Sequence, residues 1–257
     1  MPLTPIQAEV LRLIATHRSP ASHVAGGIAL NSREDSARFS KGIDIFHDGI
    51  DPLAAASDAD TTALETAGFQ VARMRWEVGF HQARIIREAE DVVLEWSYID
   101  AWRYFPIEAD ETLGWRLHPL DALTNKALAI SDRTQTRDLV DLVSHGAEYP
   151  LERIIWAACG KHSGWNPHSM LVRMRRNATA RLDQLAEMRA SFTPEQLIER
   201  WLEIADAAEL RIDEATQGGA DPGLAYITSD GRVSWWNDPA AKPLAPKMGS
   251  VWPRIVE

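Results

Sequence analysis

Apolar residues recur at helical spacing over residues 4–17, with Ile6, Val10, Leu11 and Ile14 on one stripe. The run HVAGGIALNS follows, where a glycine pair interrupts an apolar stretch. Residues 43–47 then alternate as a strand does, with Asp44 on one face and Ile43 and Ile45 on the other. Residues 52–67 are alanine-rich and read as a helix closed by Gly68. Three alternating segments come next, Phe69–Trp76, Phe80–Arg87 and Val92–Asp100, separated by short polar or glycine-bearing breaks. Their spacing predicts an antiparallel meander.

After Gly114 the pattern changes. From Leu120 to about Gln217 it is helical nearly throughout, and Pro119, Pro150, Pro167 and Pro194 sit where helices would start. The tail from Gly218 is rich in Gly and Pro, and LAYITSDGRVSWW reads as a hairpin turning at Asp230-Gly231. The expected fold class is therefore α+β. A mixed α/β domain spans residues 1–118, a helical domain 119–217, and an extension with a hairpin 218–257. No internal repeat or low-complexity run interrupts this order.

Charge and composition then narrow the classes of function. The formal net charge is -10 over 257 residues, so the chain as a whole repels nucleic acid and any such contact needs a local basic patch. Apolar residues make up 45% and charged residues 25%, which is enough to build a soluble core. Cys159 is the single cysteine, which excludes an intrachain disulfide and suits a reducing compartment. The N-terminus lacks the basic start and long apolar run of a signal peptide, and no stretch approaches the roughly 20 apolar residues of a membrane span. The expectation is a soluble cytoplasmic protein.

Three segments carry candidate chemistry: residues 26–48, 118–133 and 137–142. A glycine pair entering a helix lets backbone N–H groups approach phosphate oxygens. A strand acid facing a cleft offers a hard oxygen ligand for Mg²⁺. Lys126 and Arg133 lie seven apart, about two helical turns, and share a face. Asp138 and Asp141 are three apart and also share one. Cations of this kind offset charge in phosphoryl transfer. The plainer readings stand beside these. Asp44 also fits an ordinary exposed strand residue, and Lys126 and Arg133 fit a salt-bridge network with Asp138 and Asp141. His162 and His168 match no common zinc spacing. Cys159, in an apolar helix, reads as a small buried hydrophobe, and Trp235 and Trp236 as hairpin packing before base stacking.

In order, the segments contain Gly26, Gly27, Ala29 and Leu30; then Arg38, Ser40 and Asp44; then Lys126 and Arg133; then Arg137, Asp138 and Asp141. This succession resembles the AbiEii/AbiGii toxin family of nucleotidyltransferases, within the DNA polymerase β-like superfamily, over roughly residues 22–185. WRYFP (102–106) and WAACGKHSGWNP (156–167) look like a subgroup of that family. The resemblance implies a polymerase β-like mixed sheet with flanking helices. It implies Mg²⁺ (or Mn²⁺) held by Asp44 and a neighbouring-strand acid, with Glu95 the first candidate and Asp100 the second. It implies a triphosphate held by Gly26, Gly27, Arg38 and Ser40, and phosphate contact by Lys126. Asp138 and Asp141 would orient Lys126 and Arg133 or touch the nucleotide. The implied partners are an NTP, an RNA acceptor such as the tRNA 3′ end, and an antitoxin.

One position departs from the family pattern. Its Asp-x-Asp pair falls on positions 42 and 44, and position 42 is Gly42. Glycine offers no ligand, Lys41 cannot bridge two cations, and Asp48 lies too far along the strand to substitute. Two expectations follow: a transferase that works without that acid, or a degenerate protein that binds a nucleotide or partner without turnover. A helical scaffold with a vestigial α/β domain is a third, and it predicts no nucleotide binding.

Overall fold

A computed structural model describes residues 3–99 and 102–248, and the backbone of Arg254–Ile255. The chain divides into two units. The first comprises residues 1–101 and 106–119 with residues 248–251, and the second the remainder.

In the first unit, Thr4 caps helix α1 (Pro5–Ile14) through a capping box with Gln7, and Pro5 stands at its first turn. Strand β1 (Ser22–Ala25) leads directly into the short helix α2 (Gly26–Asn31), so the glycine pair starts a helix. Strand β2 (Gly42–His47) precedes α3 (Ile50–Thr66), which ends before Gly68 at φ +86°. The meander is present as β3 (Gln70–Glu77), β4 (Phe80–Arg87) and β5 (Glu90–Tyr98), paired antiparallel in sequence. Three short strands follow that the periodicity did not predict: β6 (Trp102–Arg103, in the second unit), β7 (Glu108–Asp110) and β8 (Gly114–Arg116).

Seven strands form one mixed sheet in the order β3-β4-β5-β2-β1-β8-β7. β2 lies parallel to β5 and antiparallel to β1, and β1 is parallel to β8. Burial alternates along β2, β4 and β5, as a one-sided sheet requires. Ile43, Ile45, Ala83, Ile85, Leu94 and Trp96 form the core with the apolar stripes of α1 and α3. The opposite face of these strands carries Gly42, Asp44, Gln82, Arg84, Val93 and Glu95. Packing of two helices on one face thus leaves the acids on the other.

A buried carboxylate ties this core together. Asp60 of α3 takes two hydrogen bonds from Arg18 Nη2 (2.7 and 2.6 Å) and one from Trp96 Nε1 (2.8 Å), and His17 Nδ1 lies 2.7 Å away. Burying Asp60 and Arg18 is tolerable because the two charges pair directly.

The second unit is mainly helical. It contains α4 (Pro119–Asp132, from Leu120), α5 (Thr136–His145), α6 (Leu151–Lys161), α7 (Pro167–Asn177), α8 (Leu182–Glu187) and α9 (Pro194–Gln217). All four prolines named from the sequence stand at or beside a helix start. α9 buries Leu197, Trp201, Ala205, Ala208, Ile212 and Ala215, a continuous stripe that packs on α5, α6 and α7. The terminal hairpin forms from β9 (Ala225–Ile227) and β10 (Val233–Ser234), with Gly231 at φ +83° in the turn. The hairpin is extended in a way that its sequence pattern does not predict: β11 (Lys242–Ala245) pairs on the other side of β9, and Arg254–Ile255 pairs beyond it. No helix among the described residues is long and apolar enough to cross a membrane.

Candidate nucleotide-binding and carboxylate site

The β1–β2 register sets Ala25 opposite Asp44, so the chain enters Gly26 beside that acid. Gly26 has φ +60°, and a Cβ built on it would fall 1.8 Å from Asp44 Oδ2. The carboxylate therefore occupies the space that any other residue at 26 would fill. Gly27 is used in the same way: a Cβ there would lie 2.7 Å from Arg38 Nη2 and 2.8 Å from Ser40 Oγ. The glycine pair is thus a flat floor on which Asp44, Arg38 and Ser40 rest. Arg38 is buried and donates from Nη1 to Phe39 O at 2.9 Å. Ser40 Oγ donates to Gly42 O at 3.2 Å, and Gln7 Nε2 donates to Ser40 O at 2.6 Å, which ties α1 to this loop.

Parallel pairing of β2 with β5 sets Asp44 beside Glu95. Adjacent strands lie about 5 Å apart and in-register side chains project to one face, so the two half-buried carboxylates are neighbours. Gln82 on β4 is in register with Glu95, and its Nε2 donates to Glu95 Oε1 at 2.5 Å. This orienting amide was not among the residues singled out from the sequence. Only strand register reveals it. Asp100 lies outside the described residues.

Gly42 shares the face of Asp44, two residues along β2 and in register with Val93. A Cβ there would meet Val93 O at 3.2 Å, a tight approach to backbone that a small shift relieves. A side chain at 42 would therefore join Asp44 and Glu95 on one surface. Among the described residues, no three His, Cys, Asp or Glu side chains converge as a metal cluster. The side-by-side pair matches a different pattern, in which Mg²⁺ takes one or two carboxylates and completes its shell with substrate phosphates and water.

In the second unit the four charged residues form one network. Lys126 Nζ lies 2.8 Å from Asp138 Oδ1 and 3.0 Å from Asp141 Oδ2. Arg133 Nε and Nη2 each lie 3.0 Å from Asp138 Oδ2. Both acids are fully buried, Lys126 nearly so, and Arg133 is half exposed. Two positive and two negative side chains cancel, which lets α4 and α5 pack with charges between them.

The other motifs of this unit also meet. Tyr104 N and Phe105 N donate to the Asp121 carboxylate at 2.9 Å, and Lys161 Nζ lies 2.8 Å from Asp121 Oδ1. Burial lowers the Lys161 pKa and Asp121 opposes that shift. WRYFP and WAACGK are thus joined through one buried ion pair. Cys159 is buried, and burial pushes its thiol up to about 12, so it is an inert packing group. His168 pairs with Asp213 at 2.7 Å, while His162 Nδ1 accepts from Gly164 N. Trp235 is buried edge-on against Trp156 with ring centroids 5.6 Å apart, and Trp236 lies against Gly218. Both tryptophans serve packing.

No protein family matches the sequence, and no curated protein sequence is detectably similar. Solved structures do match the fold. JHP933 from Helicobacter pylori aligns over 83% of this chain and 94% of its own, with a TM-score of 0.55 at 15% identity. A candidate nucleotidyltransferase from H. pylori aligns over 82% and 98%, with a TM-score of 0.55 at 18% identity. MenT4, a nucleotidyltransferase toxin of Mycobacterium tuberculosis, aligns over 81% and 82%, with a TM-score of 0.52 at 14% identity. The chain therefore has the α+β fold seen in nucleotidyltransferases: a mixed seven-stranded sheet flanked by helices, with a helical C-terminal region.

Proposed function

We propose that the protein uses this fold to bind an NTP with Mg²⁺ (or Mn²⁺) and to transfer its nucleotide to an acceptor hydroxyl. The observation that carries the reading is the in-register pair Asp44 and Glu95 beside Gly26. Asp44 and Glu95 would hold the cation. When bound, Mg²⁺ would neutralise phosphate charge and lower the pKa of the acceptor hydroxyl. Gln82 fixes Glu95 so that the pair is presented without reorganisation. The acceptor oxygen bonds to the α-phosphorus, the bond from that phosphorus to the bridging oxygen breaks, and pyrophosphate leaves. The hydroxyl proton passes to the carboxylate pair.

Gly26, Gly27, Arg38 and Ser40 are assigned to the triphosphate. Taken by itself, the second unit offers Lys126 as a candidate phosphate contact, with Arg133, Asp138 and Asp141 orienting it. The acceptor class is RNA, the tRNA 3′ end being the first candidate. Fold likeness to a nucleotidyltransferase toxin supports a toxin role and a cognate antitoxin, and a cytoplasmic site of action follows from that role.

Gly42 favours a second reading: a degenerate member that binds nucleotide or a partner without turnover. Both readings are tested by incubating the protein with each α-labelled NTP, Mg²⁺ or Mn²⁺, and bacterial tRNA. Asp44→Ala and Gly42→Asp are assayed alongside. The transferase reading expects label transfer by the native chain and a fall of about 100-fold or more in Asp44→Ala. Full activity in Asp44→Ala would sink it. Transfer by Gly42→Asp alone identifies a transferase scaffold silenced at one position. NTP binding with no transfer by either protein supports the degenerate member.

A further inference from the structure

The face of the sheet that bears Asp44 continues outward across β5, β4 and β3. One row reads Asp44, Glu95, Gln82, Arg75. The next reads Gly42, Val93, Arg84, Ala72, and a third reads Phe46, Ser97, Phe80, Glu77. A bulge between Arg73 and Arg75 is what brings Arg75 onto this face. Residues 70–87 contain four arginines and one acid, Glu77, in a chain whose net charge is -10. Arg87 is committed to Glu9 and Ala67 O, and Arg73 stacks on Trp76 of the core-side face. Arg75 and Arg84 remain on the carboxylate face, with side chains 57% and 51% exposed.

Their present partners are surface acids. Arg75 pairs with Glu77 at 2.8 Å and Arg84 with Asp91 at 3.6 Å, and both acids are at least half exposed. The Arg84 contact is loose, so a phosphate can replace Asp91; Arg75 grips Glu77 through Nε and Nη2 at 2.8 Å each, a two-bond fork that a phosphate takes over by exchange for the carboxylate. Arg75 also lies over the Phe80 ring, 4.9 Å from its centroid, which leaves a guanidinium and an aromatic ring stacked at the sheet surface. Charge on an edge strand also serves to block edge pairing. That explanation covers Arg75 on β3 and does not reach Arg84, which stands on the interior strand β4.

We propose that the Arg84–Arg75–Phe80 surface of β4 and β3 binds the acceptor as single-stranded nucleic acid, leading its terminal hydroxyl to Asp44 and Glu95. Two guanidiniums take successive phosphates and Phe80 supplies a platform for a base. Strand spacing sets Arg75 about 10 Å from Glu95, within reach of a strand whose end lies at the carboxylates. This inference rests on the transferase reading for what the bound strand is for. Its binding test is independent of turnover.

The test is fluorescence anisotropy of a short labelled single-stranded RNA on the full chain, at several salt concentrations. Arg75→Gln with Arg84→Gln is expected to weaken binding and to reduce the slope of log K against log salt by about 1.4, at ~0.7 per phosphate. Arg75→Lys with Arg84→Lys should restore the slope. Phe80→Ala should lower affinity about fivefold or more with the slope unchanged. Unfolding midpoints serve as the control for folding. An unchanged slope in the double Gln variant overturns the proposal. So does displacement of the RNA by polyglutamate at equal charge, which would identify the surface as a site for acidic protein. Label transfer that persists with RNA binding unaltered in the Gln variant sinks this inference alone. RNA binding of the expected kind without label transfer by the native chain or Gly42→Asp sinks the transferase reading alone.

Discussion

His47 shows how strongly a single buried residue responds to the packing of the first unit. It lies on the core side of β2 with neither ring nitrogen hydrogen-bonded to protein. Burial, then the charges of Arg18 and His81, lowers its pKa to about 4. An unfolded histidine titrates near 6.5, so between these values the unfolded chain binds the extra proton. His47 therefore costs nothing above about pH 6.5, and stability is lost as pH falls from there towards 4. Comparing pH 7 with pH 5, the native protein should lose about 2 kcal/mol more than His47→Leu in urea unfolding. Equal losses would show that His47 is not buried neutral. Asp44 and Ile43 illustrate what was readable at this scale, because alternation alone placed them on opposite faces. Gln82 illustrates what was not, since a glutamine on a strand carries no signal until the register with Glu95 is known.

At the level of elements, the α4–α5 pair depends on charges that have no solvent to fall back on. Asp138 is fully buried and is contacted by both Lys126 and Arg133. Removing it leaves Lys126 with Asp141 alone and strips Arg133 of its acid. Asp138→Ala should destabilise the protein by about 3 kcal/mol or more, read as a lower unfolding midpoint. A shift below about 1 kcal/mol would mean that the network is solvated. Helical spacing and two short motifs were enough to group these four residues. The helical half was legible because apolar residues recur at helical spacing and prolines stand where four of its helices start. Strands β6, β7 and β8 were not, since two or three residues offer no alternation to detect. β11 was missed for a related reason: it carries a proline and sits in a Gly- and Pro-rich tail.

Across the whole molecule, negative charge predominates and the positive exceptions are local. The acidic total requires that any polyanion be bound by a confined surface, and the β3–β4 ribbon is such a surface. Sequence reading reached the α+β class, the meander and the helical second half because each rests on local periodicity. The order of strands was beyond it, because β2 is flanked by β1 and β5 through pairings set by the whole sheet.

That strand order has a consequence in time. β3, β4 and β5 can pair as each leaves the chain, but β2 must wait for β5, on the far side of α3 and two hairpins. Non-local parallel pairing is slow because loop closure precedes its reward. Asp44 and Glu95 therefore become neighbours only when β5 docks on β2, after the β3–β4–β5 hairpins can have formed. In pulse-labelled hydrogen exchange during refolding, β3 and β4 amides should gain protection first and those linking β2 to β5 later. Simultaneous protection would refute the order. If the order holds, the carboxylate pair does not exist in the refolding chain until β5 docks on β2.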